Sequence, residues 1–232
     1  MLNIKQFRSG DNLSYVLYGN SAALAIDGVA AQAVLDFIER QGLILTLIAN
    51  THGHFDHTGG NSALLSKSKA KLLGVGELIQ KGEFDLEGQN IKVYHTPGHT
   101  EDSICFHTGK YLITGDTLFN GTVGNCFTGD LRAFYQSIKK LMVLPRDTIV
   151  YAGHDYVNDS WAFAKYLEPE NNSFDLYMKR YDPAHVSSKL DDEFLINPYL
   201  RFNDEKIIAL LKSRGLATDT EWHRWESLMS IN

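Results

Sequence analysis

The chain has 232 residues, 44% of them apolar, 22% charged and 11% aromatic, with a formal net charge of −6. That supply fills one sizeable core, or a core with a small appendage, and excludes a disulfide-stapled miniprotein and a largely disordered chain. No apolar run approaches the roughly 20 residues of a membrane helix, no Lys/Arg run exceeds Lys139-Lys140, and the N-terminus lacks an apolar signal-peptide core, so neither a membrane nor a nucleic-acid partner nor export is expected.

In chain order, short strands are predicted over 4–8, 13–18 and 22–26, separated by Ser9-Gly10-Asp11-Asn12 and Gly19-Asn20, as a meander. A helix over 30–40, with Val34, Leu35, Phe37 and Ile38 in helical spacing, stops at Gly42 and feeds a buried-type strand over 43–49. Further strands follow at 71–75, 91–95, 103–107, 111–114 and 148–151, with a helix over 131–144 ending on Pro145. This order fits two sheets flanked by helices. From Val157 onward the pattern is helices only, over 160–167, 173–181, 205–214 and 218–229, the last opening with a capping box in which Thr218 and Glu221 exchange bonds. The expected division is residues 1–156 as a catalytic domain and 157–232 as a helical, substrate-side domain. Two cysteines, Cys105 in a strand and Cys126 in a loop, fit a reducing compartment, and a cytoplasmic location is expected.

Nine histidines are the anomaly, and three of them fall in His52-Gly53-His54-Phe55-Asp56-His57 directly after the strand over 43–49. An extended His-x-His puts both rings on one side, and a tightening turn aims Asp56 and His57 at a neighbouring point. A lone histidine here would read as a surface residue. Four ligand-type side chains within six residues read as part of a metal site. Further ligands arrive from other strand ends: His99 in Thr96-Pro97-Gly98-His99, Asp116 in Thr114-Gly115-Asp116, and His154 in Ala152-Gly153-His154. Asp116, with two oxygens, is the candidate to bridge two cations. His95, still inside its strand, is expected to be a packed or supporting residue.

These segments resemble the metallo-β-lactamase superfamily, whose His-x-His-x-Asp-His motif and downstream His, Asp and His match His52, His54, Asp56, His57, His99, Asp116 and His154. Similarity to its glyoxalase II (hydroxyacylglutathione hydrolase) family extends to 96–100, 115–119, 153–156, 163–169 and Asn197-Pro198-Tyr199-Leu200-Arg201, nearly the whole chain. The resemblance implies an α+β, four-layer αββα sandwich with a small C-terminal helical domain. It also implies two divalent metal ions, His52, His54 and His99 on one, Asp56, His57 and His154 on the other, and Asp116 between them. Zinc is the default, and iron or manganese also suits mixed imidazole and carboxylate ligands. The implied activity is hydrolysis of a small-molecule thioester of the S-D-lactoylglutathione type by a metal-bridging hydroxide, with Asp56 and Asp116 as catalytic carboxylates. Other readings of the same motif are a mononuclear iron persulfide dioxygenase, a hydrolase of lactones or other esters, and a non-catalytic binding protein. The oligomeric state is not legible.

On the substrate side the resemblance points to Tyr156, Asn125, Phe127 and Arg224. Here the chain departs from the family pattern. Asn125 and Phe127 stand where a basic residue and a tyrosine that grip glutathione are expected, and in the last helix only Arg224 is basic, with Glu226 and Met229 at the other positions.

Overall fold

The computed structural model of the chain describes residues 1–231. Alternation along two strands decides the layering. In β2 (Asn12–Tyr18) and β3 (Ala22–Ile26), Tyr15, Leu17, Leu24 and Ile26 enter one apolar layer while Val16, Ala23 and Ala25 enter another. With β1 (Asn3–Ser9), β4 (Ile44–Ala49) and β5 (Lys71–Leu72) they form a five-stranded sheet in the order β1-β2-β3-β4-β5, antiparallel through β3 and parallel beyond it.

The second sheet has the order β11-β10-β9-β8-β7-β6. It runs from β6 (Glu83–Leu86), β7 (Gln89–His95), β8 (Ile104–Thr108) and β9 (Tyr111–Gly115) to β10 (Ile149–Ala152) and β11 (Ser188–Lys189). Its inward residues, including Ile91, Val93, Ile104, Phe106, Ile113 and Tyr151, meet Tyr15, Leu17, Leu24 and Ile26 between the sheets. Outside the first sheet, α1 (Ala31–Arg40) packs through Val34, Phe37 and Ile38, joined by Leu64. Outside the second, α2 (Leu131–Met142) lays Phe134, Ile138 and Leu141 on Cys105, Leu112 and Val150. The result is the αββα sandwich.

Three expectations are corrected. Residues 71–75 are not one strand: β5 stops at Leu72 and Val75 opens a helix, Val75–Lys81, that left-handed Gly82 ends. The segment after Val157 is not helices only. Amid helices Val157–Leu167, Ser173–Met178, Leu190–Ile196, Glu205–Ser213 and Glu221–Met229, the strand β11 pairs with β10, so chain from beyond 157 completes the second sheet. The last helix is capped by Thr220, whose hydroxyl accepts the His223 N–H at 3.1 Å, rather than by Thr218. No helix among the described residues is long and apolar enough to cross a membrane.

The parallel pairs position the site. β3 and β4 run parallel, as do β9 and β10, so their C-terminal ends deliver Asp27, His52, Asp116 and His154 to one edge of the sandwich.

Candidate metal centre

All seven predicted ligand residues converge at that edge. Nδ1 of His54 lies 2.9 Å from Nε2 of His52 and 3.1 Å from Nε2 of His99. Nε2 of His154 lies 3.3 Å from Asp56 Oδ2 and 3.4 Å from Asp116 Oδ2, and Nε2 of His57 is 3.8 Å from Asp56 Oδ2 and 3.3 Å from Asp116 Oδ1. Asp116 Oδ2 is also 3.4 Å from His99 Nε2, so its carboxylate touches both groups. Six of these seven side chains point potential donor atoms at common centres as the groups His52/His54/His99 and Asp56/His57/His154, and Asp116 joins His52 and His57 in a third.

The ring orientations are held from behind. His57 Nδ1 donates to Asp27 Oδ2 at 2.9 Å, His99 Nδ1 donates to the Asn125 carbonyl at 3.0 Å, and His52 Nδ1 meets Thr51 Oγ1 at 3.1 Å while that hydroxyl donates to Asp27. Each of these leaves an Nε2 facing the cluster, the arrangement that fixes the tautomer of a ligating imidazole. Asp56, half exposed, is held by Asn12, whose Nδ2 donates to its Oδ2 at 3.2 Å.

Electrostatics follow from burial among like and unlike charges. Burial, and then the charge on His57, lowers His52 to about 4; burial also lowers His99. Burial pulls His57 down too, but Asp27 and Asp116 outweigh it and hold the imidazolium up to about 11. Asp116 is buried, which favours its neutral form, yet His154 and His57 hold its carboxyl well below the usual range.

A divalent cation fits this donor set. His52 and His99 are neutral with their Nδ1 protons engaged, so both Nε2 lone pairs face His54 Nδ1, where one proton satisfies at most one of them. Spacings of 2.9 and 3.1 Å are near the roughly 3.3 Å expected between ligands on bonds of about 2.0–2.1 Å in a tetrahedral site. His57 Nε2 and Asp116 Oδ1 are buried without hydrogen-bond partners. Close approach depends on Gly153, φ-unremarkable but crowded: a Cβ there would meet Asp116 Oδ1 and His57 Cε1.

Asp27 and Asn12 were not singled out from the sequence. Asp27 ends β3 as Asp116 ends β9, so the same strand-end signal was present; Asn12 carried none. Asp27 is 1% exposed and accepts from the Thr51 N–H, the Thr51 hydroxyl and His57. Asp27→Ala strands all three donors and frees the His57 ring. We expect a loss of about 3 kcal/mol of stability and about 10–100-fold in metal affinity, measured by denaturant titration and competitive chelation; unchanged affinity would remove Asp27 from the site.

Of the substrate-side residues, Tyr156 stacks on His154 at 4.9 Å and 4°, and Phe127, 67% exposed, lies 5.1 Å from His99 and 6.0 Å from His54. Burial, then Asp11, Asp116 and Asp56, pushes the Tyr156 phenol up to about 12. Tyr156 and Asn125 line a cavity of about 320 Å³. Arg224 does not line it; its guanidinium donates to Asn203 Oδ1 and the Thr218 carbonyl. His95 stands apart, its Nε2 on the Glu101 carbonyl at 2.8 Å. Cys105 is core, its thiol pushed by burial up to about 11, and Cys126 is half-buried beside the Thr128 hydroxyl.

The family model for the metallo-beta-lactamase superfamily matches residues 10–82 and 71–154, and the model for the hydroxyacylglutathione hydrolase C-terminus matches 155–228. A hydroxyacylglutathione hydrolase of Chromohalobacter salexigens is 32% identical over 229 residues, 90% of each chain. The chain belongs to the metallo-beta-lactamase superfamily and its hydroxyacylglutathione hydrolase family. Another hydroxyacylglutathione hydrolase, from Pseudoalteromonas translucida, is 32% identical over 100% of this chain and 97% of its own. Among solved structures, ETHE1 from Myxococcus xanthus has a similar fold, superposing with a TM-score of 0.69 at 21% identity, over 98% of this chain and 90% of its own.

Proposed function

We propose that the protein is a metal-dependent hydrolase of small-molecule thioesters of the S-D-lactoylglutathione type. The observation that carries this is the convergence of seven His and Asp side chains at one sheet edge, in a chain whose full-length relatives are named hydroxyacylglutathione hydrolase. His52, His54 and His99 would hold one cation, Asp56, His57 and His154 a second, with Asp116 shared, and zinc suits the donors. When bound, such cations supply Lewis acidity and a water made acidic near neutral pH. Asp56, ionised and anchored by Asn12 at the solvent side, would help to orient the attacking water. Tyr156 would stay a neutral phenol and offer an O–H to a substrate oxygen, while buried Phe119, in edge contact with Tyr156, would exclude water on that side.

We further take 1–156 as the catalytic part and 157–232 as the substrate-side part. The two family models meeting between 154 and 155 support that division, and the β10–β11 pairing argues that the parts fold together.

Protein saturated with zinc and freed of excess should hold close to two ions per chain by elemental analysis, and should release thiol from S-D-lactoylglutathione. One tight ion with no second would overturn the two-ion assignment. Full metal loading with no thioester cleaved would overturn the activity.

A further inference from the structure

The 320 Å³ cavity beside the cluster is walled by Phe119, Tyr156 and Phe163, with Asn125 and Ser160 between them and Asp159 at its rim. Phe119 and Tyr156 are in edge contact at 5.0 Å, and Tyr156 stacks on His154, so this wall is continuous with the metal cluster. A thioester whose carbonyl sits at the cluster can therefore extend one arm into the cavity.

The charge of this lining is one-sided. No Lys, Arg or His lines it, and Asp159 forms no ion pair or side-chain hydrogen bond among the described residues. Ser160, 2% exposed, also lines the cavity. An unpaired carboxylate next to aromatic rings suits a cation, since ring faces carry negative potential and an ammonium is drawn to both. A carboxylate in the same place would face Asp159 with no basic side chain in the lining to offset it.

We propose that this cavity takes an ammonium group on the thiol half of the substrate, with Asp159 as counter-charge and the three aromatic rings as its wall. The inference rests on the thioesterase assignment for the reaction, and on the lining alone for the ligand.

The test uses zinc-loaded protein and D-lactoyl thioesters of three thiols: thiocholine, which is cationic; N-acetylcysteamine, which is neutral; and 3-mercaptopropionate, which is anionic. kcat/KM should fall in that order, with about tenfold or more between cationic and neutral thiols. In Asp159→Asn the cationic-to-neutral ratio should collapse towards one, and Asp159→Lys should reverse the order of cationic and anionic thiols. Preference for the mercaptopropionate ester in the unaltered protein, or an order indifferent to both substitutions, overturns the proposal. Should no thioester be cleaved, the thioesterase assignment fails, and calorimetric binding of thiocholine decides separately: binding weakened by Asp159→Asn supports the cavity assignment, and no binding overturns it.

Discussion

Asp116→Ala should be the most damaging single change at the cluster, lowering thioester turnover by at least about a thousandfold and removing both metal ions. The reason is positional. Its Oδ1 faces His57 and its Oδ2 faces both His99 and His154, so one carboxylate touches donors of both proposed cation sites. His57→Ala, by contrast, removes a ligand from one site and leaves His52, His54, His99 and Asp116 in place. It should retain close to one ion per chain and lose less activity. Metal analysis with kcat on both variants, alongside thermal melts that check folding, separates the two. Equal metal content and equal residual turnover would contradict the shared role of Asp116.

The site was legible because its candidate ligands come from sequence-local signals, and the framework because alternation was strong. Tyr15, Val16 and Leu17 sort to opposite faces of β2 as a period of two requires. His52 to His57 announce themselves by density, and His99, Asp116 and His154 by their place after apolar strands. What escaped was carried by weak or distant signals. The helix Asn61–Lys67 buries only Leu64, so its polar faces read as loop, and Leu72-Leu73 before Val75 imitates a longer strand. β11 is two residues of backbone pairing with no composition of its own, and its place is secured by Glu193, whose Oε1 accepts from the Ser188 hydroxyl and whose carboxylate also takes the Gly121 N–H. Burial pushes Glu193 up to about 7 against those donors, a buried carboxylate that ties the segment after Val157 to the loop after Asp116. Such long-range ties depend on tertiary placement, which periodicity does not encode.

Asn125 lines the cavity and its backbone carbonyl accepts from His99 Nδ1, so a side-chain substitution at 125 leaves the support of that ring in place. Phe127 is 67% exposed above His54 and His99, so a hydroxyl added to its ring stays in water at no burial cost. A charged hydrogen bond contributes about 1.5–3 kcal/mol, and each 1.4 kcal/mol is about tenfold in affinity. Asn125→Lys with Phe127→Tyr should therefore lower KM for S-D-lactoylglutathione by about ten- to a hundredfold, through contacts to its carboxylates. The metal cluster is unchanged, so kcat should move by no more than about threefold. The ammonium introduced at 125 also shares the cavity with Asp159, and it should depress turnover of the thiocholine ester as it improves that of the glutathione ester. Tight binding of the glutathione thioester by the unaltered protein, or a KM that ignores the double change, would mean that other residues hold glutathione and that positions 125 and 127 do not set the choice of thiol.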